Sequence, residues 1–469
     1  MKQFLFTQQK KNQYLLFSAD AMVIFIALFL SYAIRVYLNR SEPTWDLVIS
    51  KLNLSLIIVI AFHLFTLYLL DQYNLSEIAA NFGKSVFFTI LSVITASLLI
   101  GFILFFLPKY VFGRQIMIIH IFVTSSFLVC WRLIFTKYFF KNLKKKVLSI
   151  IGNGQIISSF IEELDKIDDN GFEVEDICVY KEGESSACII KDNIKQHQSM
   201  QEMLAQSNFD ILAYDATGAF LTDEETRKIL QLKYWGKTIC DLPTLYQNLT
   251  GKVPLTFIDG KWLLHFGGFQ GQTNILYRRI KRIVDVFLAM FLLILLLPVS
   301  VIIAAVVKIE SRGAVFFVQE RFGMNQNPFR CYKFRTMKEN AEKDSGPVWS
   351  KTNDPRITRI GRLLRKWRLD ELPQLWNVLI GDMSFVGPRP IRAHFARKFE
   401  EKIPFYGLRF DVKPGLSGWA QVNHDYAGSE EGQLEKFQYE LFYIQNMSFF
   451  LDMLTIFKTI KVMFRGSGK

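Results

Sequence analysis

Two adjacent carboxylates, Asp370 and Glu371, follow a run of cations at Arg362, Arg365, Lys366 and Arg368, and a Gly-Pro-Arg-Pro turn at 387–390 closes the block. Cations beside a carboxylate pair suit a site that handles phosphate and holds a divalent metal. Taken alone, the basic stretch is equally a solvated helix face. Pro373 is tolerated in a first helical turn and Gly381 is a fitting stop, so the spacing predicts a helix over about 371–380 with Asp370 at its N-cap. A helix start favours an ionised carboxylate and attracts phosphate.

Much of what must position this block is membrane-like. Half of the 469 residues are hydrophobic and 44 are Phe, too apolar for an ordinary soluble enzyme. Four apolar stretches, at about 14–34, 52–70, 86–107 and 115–135, are each near the length of a membrane-crossing helix. Lys2, Lys10 and Lys11 precede the first, and Lys137, Lys141, Lys144, Lys145 and Lys146 follow the fourth. Both ends of this four-helix bundle (1–146) are therefore expected on the cytoplasmic side, with the first stretch a retained anchor. The net charge of +13 suits a face turned to anionic lipid, and with no nucleic-acid motif present no nucleic-acid partner is expected. Asp20 and His63 lie inside apolar stretches, where each is expected to find a partner on a neighbouring helix. The five cysteines form no C-x-x-C pair and no His stands at zinc spacing, which argues against a disulfide framework or a zinc site.

Residues 147–275 alternate strand-like runs (Val147–Ile151, Glu175–Tyr180, Phe209–Tyr214, Thr238–Cys240) with helical ones. One helical stretch follows the Gly152-Asn153-Gly154 turn and runs to about Lys166; another, Thr222–Leu232, opens on a Thr222/Glu225 capping box. The pattern predicts a small soluble Rossmann-like α/β domain. Its Gly152-Asn153-Gly154 turn lacks a third glycine, since residue 157 is Ile, which favours an accessory role over nucleotide binding. Arg278, Arg279, Lys281 and Arg282 then lead into the uncharged run Val286–Val307, interrupted at Pro298, with Lys308, Arg312 and Arg321 beyond. Basic flanks on both sides and a proline in mid-run fit a helix over about 283–309 that dips into the bilayer, breaks and returns; the alternative is a fifth crossing with a proline kink. In the tail 448–464, Phe450, Met453, Leu454, Phe457, Ile460 and Phe464 share one helical face, with Asp452 opposite. Such a helix lies on a membrane surface or packs on a domain core.

From about residue 276 onward a series of blocks appears in order: Lys281-Arg282-x-x-Asp285, Gln319-x-Arg321-x-Gly323, Tyr332-Lys333-Phe334-Arg335-Thr336-Met337 and Asp354-Pro355-Arg356-Ile357-Thr358. They continue through Leu369-Asp370-Glu371-Leu372-Pro373-Gln374-Leu375, Gly381-Asp382-Met383-Ser384, Val386-Gly387-Pro388-Arg389-Pro390, and the run from Pro414 to Val422. In these blocks the region resembles the bacterial sugar transferases of the polyprenyl-phosphate hexose-1-phosphate transferase family, the monotopic phosphoglycosyl transferases. Arg368 stands where many members have Ser.

The resemblance implies a four-helix membrane bundle, a Rossmann-like domain at 147–275, and a mixed α/β catalytic domain at 276–469 on the cytoplasmic face of the inner membrane. It implies transfer of a sugar-1-phosphate from a UDP-sugar to undecaprenyl phosphate, with Mg²⁺, as a membrane step of exopolysaccharide, capsule or O-antigen synthesis. Asp370 is then the nucleophile, forming an aspartyl-phosphosugar, and Glu371 assists with metal or proton. Both are the expected Mg²⁺ ligands. Lys333, Arg335, Arg365, Arg368 and Arg389 are the expected phosphate and nucleotide contacts. Arg279, Lys281, Arg282 and Pro298 are expected at the lipid interface. The lipid bilayer, a second copy and downstream glycosyltransferases are the remaining expected partners. Two rivals are a membrane-tethered NAD-dependent sugar-nucleotide dehydratase or epimerase, for which Tyr277-x-x-x-Lys281 has the spacing, and a non-catalytic assembly scaffold.

Overall fold

In a computed structural model, residues 8–38, 45–73, 82–105, 114–139, 145–166, 172–179, 194–197, 199–206, 208–215, 222–255, 258, 274–311, 313–338, 354–424 and 430–464 are described. Lys2, Lys141, Lys144, Tyr180, Cys188 and Arg312 lie outside them. The chain divides after Asp241 into two compact units.

The first unit starts with α1 (Gln8–Leu38), α2 (Trp45–Leu69), α3 (Phe82–Phe105) and α4 (Arg114–Phe139). Within α1, α3 and α4, the windows Gln13–Arg35, Gly83–Phe102 and Ile116–Lys137 are long and apolar enough to cross a membrane; the apolar stretch of α2, Leu56–Leu69, is shorter. Ile24, Leu28, Val59, Val93 and Ile116 pack together inside, while Phe102 and Phe122 face outward. Asp20 has the expected partner: Arg132 on α4 pairs with it at 2.8 Å and also donates to the Gln72 carbonyl at 2.8 Å. His63 packs edge-on against His120, ring centroids 5.1 Å apart.

An all-parallel sheet follows, in the order β3-β2-β1-β4-β5: β1 (Lys146–Gly152), β2 (Phe172–Val179), β3 (Lys195–His197), β4 (Ile211–Tyr214) and β5 (Thr238–Asp241). Helices α5 (Gly154–Asp165), α6 (Met200–Gln206) and α7 (Asp223–Tyr234) connect them. The three-residue β3 has no counterpart among the predicted strands. Thr222 and Glu225 form the predicted capping box. At the glycine turn, Asn153 caps α5 by accepting from the Gln155 amide at 2.9 Å, and a Cβ on Gly152 would stand 2.5 Å from that of Asp215. Local packing thus accounts for both residues.

The second unit begins with α8 (Leu242–Thr250). This helix and Val253, grouped by sequence with the α/β region, attach to the C-terminal unit. Trp419 donates to the Gly251 carbonyl at 2.8 Å, Lys252 pairs with Glu435 at 3.0 Å, and the Val253 amide donates to the Gln438 carbonyl at 3.0 Å. The unit continues with α9 (Ile275–Leu295), α10 (Leu297–Glu310), the antiparallel hairpin β6 (Phe316–Phe322)–β7 (Pro328–Phe334), α11 (Arg359–Lys366), α12 (Gln374–Ile380), β8 (Ser384–Val386), α13 (Ala393–Lys402), β9 (Gly415–Ser417), α14 (Trp419–Asn423), α15 (Glu430–Gln445) and α16 (Phe449–Phe464). Between α9 and α10 the axis bends by 61°, with Pro298 in the first turn of α10, where its missing N–H breaks no hydrogen bond. Phe287, Phe291, Ile294, Val301 and Ile302 around the bend are each 60% exposed or more, an apolar surface suited to lipid.

Ala289 on α9 reaches the core with Leu375, Val378, Phe385, Trp419 and Tyr443, while Ile303 and Val307 on α10 pack with Phe334 and Leu364. The tail helix α16 buries the face carrying Leu451, Asp452 and Thr455 and leaves Phe450 and Phe457 exposed. Of the predicted apolar stripe, Leu454 packs against the core while Phe450 and Phe457 stay outside. Asp452 is inside because three donors meet it: Tyr277 and Lys281 at 2.7 Å each on one oxygen, Tyr443 at 2.6 Å on the other.

Candidate active site

Three elements hold Asp370 and Glu371. Strand β7 supplies Lys333. Helix α12 is fastened to that strand by Asn377, whose amide donates to the Arg330 carbonyl at 2.7 Å and accepts from the Tyr332 amide at 3.1 Å. Helix α11 is capped by Thr358, which accepts from the Gly361 amide at 2.9 Å. Position 361 must be glycine because a Cβ there would lie 2.2 Å from the Thr336 carbonyl. That close approach lets Arg365, one turn along, donate to the Thr336 hydroxyl at 2.9 Å.

The carboxylates themselves stand in a 3-10 turn, Leu369–Glu371, and α12 begins only at Gln374, with Pro373 as its N-cap. Asp370 is therefore not the predicted cap. Arg368 enters the turn in the left-handed region at φ 55°, which costs a non-glycine residue about 1 kcal/mol. Gly381 does end α12 as predicted, with φ 105°.

The two carboxylates are buried alike and wired differently. Lys333 and Arg389 converge on Glu371 Oε1 at 2.7 and 2.5 Å. Burial alone would raise the Glu371 pKa, but Arg389 and Lys333 together hold it well below the usual glutamate range. Asp370 makes no direct ion pair among the described residues. Its burial lifts its pKa above the ordinary aspartate range; Lys333 pulls against this and the Glu371 charge adds to it. Glu371 is thus a fixed anion, while Asp370 keeps its oxygens for something else. The turn carrying Arg389 is itself tied down: Arg409 donates to the Arg389 carbonyl at 2.9 Å and Arg321 to the Pro390 carbonyl at 2.5 Å. Arg409 is anchored in turn by Glu440 at 2.9 Å.

Residues 276–466 match the sequence model of the family described as bacterial sugar transferase. A UDP-N-acetylgalactosamine-undecaprenyl-phosphate N-acetylgalactosaminephosphotransferase of Aeromonas hydrophila is 36% identical over 57% of this chain and 63% of its own length. A UDP-glucose:undecaprenyl-phosphate glucose-1-phosphate transferase of Escherichia coli K12 is 43% identical over 39% of this chain and 40% of its own. The exopolysaccharide production protein PSS of Rhizobium leguminosarum is 38% identical over 40% of this chain, and the match takes in 98% of that shorter protein. The chain belongs to the bacterial sugar transferase family. It spans about two fifths to three fifths of the length of the larger relatives named here. With its long apolar helices it is a multi-pass protein of the bacterial inner membrane, and its sugar-transferase domain lies on the cytoplasmic side.

Within the sugar-transferase domain the expected site residues fall into two groups. Lys333 and Arg389 lie on Glu371, Arg365 is within electrostatic reach of Asp370, and Arg368 precedes it in the same turn. Arg335 turns elsewhere, donating to the carbonyl and hydroxyl of Ser311 at 2.7 and 2.9 Å, and so secures the end of α10. Of the residues expected at the lipid interface, Arg279 is exposed. Arg282 caps α12 by donating to the Val378 and Leu379 carbonyls at 2.7 and 2.8 Å, and Lys281 is engaged by Asp452. Tyr277 and Lys281, the pair that a dehydratase would need, both end on Asp452 as a structural tie. Sequence reasoning passed over Asn377 and Arg409, and gave Asp452 only a place opposite the apolar face of the tail. A lone Asn in the apolar run Leu375–Ile380 and a lone Asp in an apolar tail were the available signals.

Proposed function

We propose that the chain moves a sugar-1-phosphate from a UDP-sugar to undecaprenyl phosphate, through a covalent intermediate on Asp370. The observation that carries this is the division of labour in the pair. Glu371 is neutralised by two cations, and Asp370 beside it is buried and makes no ion pair among the described residues. The named activities of the relatives from Aeromonas and Escherichia support the same reading.

In the first step an Asp370 oxygen attacks the sugar-bearing phosphorus, and the bond from that phosphorus to the bridging oxygen breaks, releasing UMP. In the second, an oxygen of the polyprenyl phosphate attacks the same phosphorus and the bond to Asp370 breaks. No net proton is exchanged. Direct reaction would drive two anionic phosphates together; the aspartyl intermediate divides that encounter into two easier ones. Asp370 must be ionised to attack, which the Lys333 and Arg365 charges favour. Arg365, Arg368 and Arg389 then face the charge that builds on the transferring group.

The pair also fits Mg²⁺. Among the described residues no three His, Cys, Asp or Glu side chains gather at one point, which leaves a carboxylate or two for an ion whose remaining ligands are substrate phosphates and water. Asp370 with Glu371 Oε2, which among the described residues has just a long 3.5 Å contact from Arg389, is that donor set. Bound there, the ion would neutralise charge on the diphosphate.

The α9–α10 pair is read as a re-entrant element. Sharing the 61° bend equally, two apolar legs of about eleven residues each slope about 30° to the membrane plane and reach ~8 Å deep, a fraction of the ~30 Å core. That depth keeps a polyprenyl tail in lipid while its phosphate meets a cytoplasmic nucleotide. The product is then the acceptor for downstream glycosyltransferases.

Asp370→Asn keeps the size and removes the nucleophile, so UMP release from a panel of UDP-sugars with undecaprenyl phosphate should fall by orders of magnitude. Wild-type protein given UDP-sugar alone should carry a phosphosugar mass on the Asp370 peptide. A substantially active Asn variant would exclude the assignment.

A further inference from the structure

Arg389 borders a second group of cations. Arg321 on β6, Arg389, Arg409 and Lys436 on α15 lie within electrostatic reach of one another. Three of them are committed by geometry. Arg389 is on Glu371; Arg321 donates to the Pro390 carbonyl and to Gln319 Oε1; Arg409 is held by Glu440 and by the Tyr406 hydroxyl at 2.5 Å. Lys436 differs. Its nearest anion is Glu440, one turn along the same helix at 3.9 Å, beyond hydrogen-bond range and already taken by Arg409. The Lys436 side chain is only 20% exposed, yet its ammonium makes no hydrogen bond among the described residues.

The charges around it do not balance. The charges acting on Lys436 are three cations, Arg409, Arg389 and Arg321, against the one anion Glu440. A largely buried excess of that size calls for an anionic ligand, and phosphate supplies the charge and the acceptor oxygens. Arg389 joins this surplus to the carboxylate pair, with its guanidinium on Glu371 and its carbonyl on Arg409. We propose that Lys436 binds the phosphate of the nucleotide half of the donor, the half that departs as the nucleoside monophosphate. The assignment rests on the UDP-sugar reading above. It places a cation on the leaving group, where negative charge grows as the bridging bond breaks.

Burial lowers the Lys436 ammonium to about 8; Glu440 opposes the shift and Arg409, Arg389 and Arg321 add to it. The other groups facing this cluster are Tyr406, Arg392 from the segment after the 387–390 turn, and Cys331 on β7. The Tyr406 hydroxyl is lifted by burial to about 12 and the Cys331 thiol is likewise raised, so both titrate above the window of interest. A phosphate contact made by Lys436 should therefore be lost as pH rises through about 8. The second ionisation of UMP, near 6, is complete below that window.

The test is calorimetric binding of UMP to the full-length protein in detergent, at pH 7 and at pH 9.5. Wild-type affinity should drop about ten-fold between the two. Lys436→Arg should hold its affinity at pH 9.5. Lys436→Met should bind about ten-fold more weakly at pH 7 and show no pH dependence. Uridine, lacking the phosphate, should not distinguish the variants. UMP binding that is equal in wild type and Lys436→Met would overturn the assignment, as would a Lys436 dependence seen with farnesyl phosphate and not with UMP. Wild-type protein that binds neither UMP nor any UDP-sugar would overturn the donor reading itself, and this assignment with it.

Discussion

Glu371→Gln and Lys333→Met should move the pH dependence of the first chemical step in opposite directions. Both parent residues act on Asp370: the Lys333 ammonium lowers its pKa and the Glu371 carboxylate raises it. Two charges about 5 Å apart at an effective dielectric constant of 20 interact by about 3 kcal/mol. Both side chains retain some exposure, 17% for Lys333 and 7% for Glu371, so screening reduces each effect below that. In the proposed reaction Asp370 attacks as the carboxylate, and burial has lifted its folded-state value above the ordinary aspartate range. Activity is therefore full above that value and is lost as pH falls through it. Removing the Glu371 charge lowers the value, so the acid limb should retreat to lower pH. Removing the Lys333 charge raises it, so the limb should climb to higher pH.

Plateau rates should fall in both variants, by about ten- to a hundred-fold. Glu371→Gln leaves Lys333 and Arg389 without their shared anion, and Lys333→Met removes a cation from the diphosphate. The assay is the initial rate of UMP release at saturating UDP-sugar from pH 4.5 to 8, paired with the yield of phosphosugar on the Asp370 peptide in single turnover. Acid limbs that stay in place, or that move the same way in both variants, would refute the wiring deduced for the pair.

A fragment from Leu242 to Lys469 should melt several degrees above one from Asn274, because the shorter piece loses the Trp419–Gly251, Lys252–Glu435 and Val253–Gln438 contacts, each worth about 1 kcal/mol; equal melting would detach α8 from the catalytic unit. The Leu242 fragment should also keep transfer activity, since every motif of the site lies within it, and a folded but inactive fragment would assign the remainder a catalytic part. Single cysteines at Asn274 and Gly313, in a background without the native five, should both resist a membrane-impermeant maleimide in intact cells and both react in inverted vesicles; labelling from opposite faces would make α9–α10 a crossing.

What could be read from sequence was what depends on near neighbours. The capping box at Thr222, the stop at Gly381, the break near Pro298 and the adjacency of Asp370 and Glu371 are set within a few residues, and each is found where the sequence placed it. The Asp370 helix cap failed for a local reason that the pattern concealed. Leu372 and Pro373 complete a turn of their own, so the helix starts later and the carboxylates hang from a 3-10 turn after a left-handed Arg368. Arg335, Lys281 and Arg282 have partners that sequence did not reveal. Each is a cation in a basic stretch, and whether it meets a phosphate or a partner inside the fold depends on residues that are distant in sequence: Ser311, Asp452 and the end of α12.

Those distant partners give the bent apolar helix ahead of the carboxylate pair a structural task. The leg α9 packs along α12, and Arg282 ties the last carbonyls of that helix. The leg α10 packs through Ile303 and Val307 on Phe334 and Leu364, with Leu369 and Leu372 against the same cluster, and these last two flank the carboxylate pair. One leg therefore fixes the end of the helix that follows Asp370, and the other supports the turn that carries it. Rotating or withdrawing either leg would shift Asp370, since well-packed side chains transmit displacement instead of absorbing it. On the re-entrant reading proposed above, the depth of the bent helix in lipid and the position of Asp370 are thus one structural variable. An enzyme that must join a water-soluble nucleotide to a phosphate fixed at the bilayer surface needs that coupling, because an error of about 1 Å in the attacking oxygen can cost about a hundred-fold in rate.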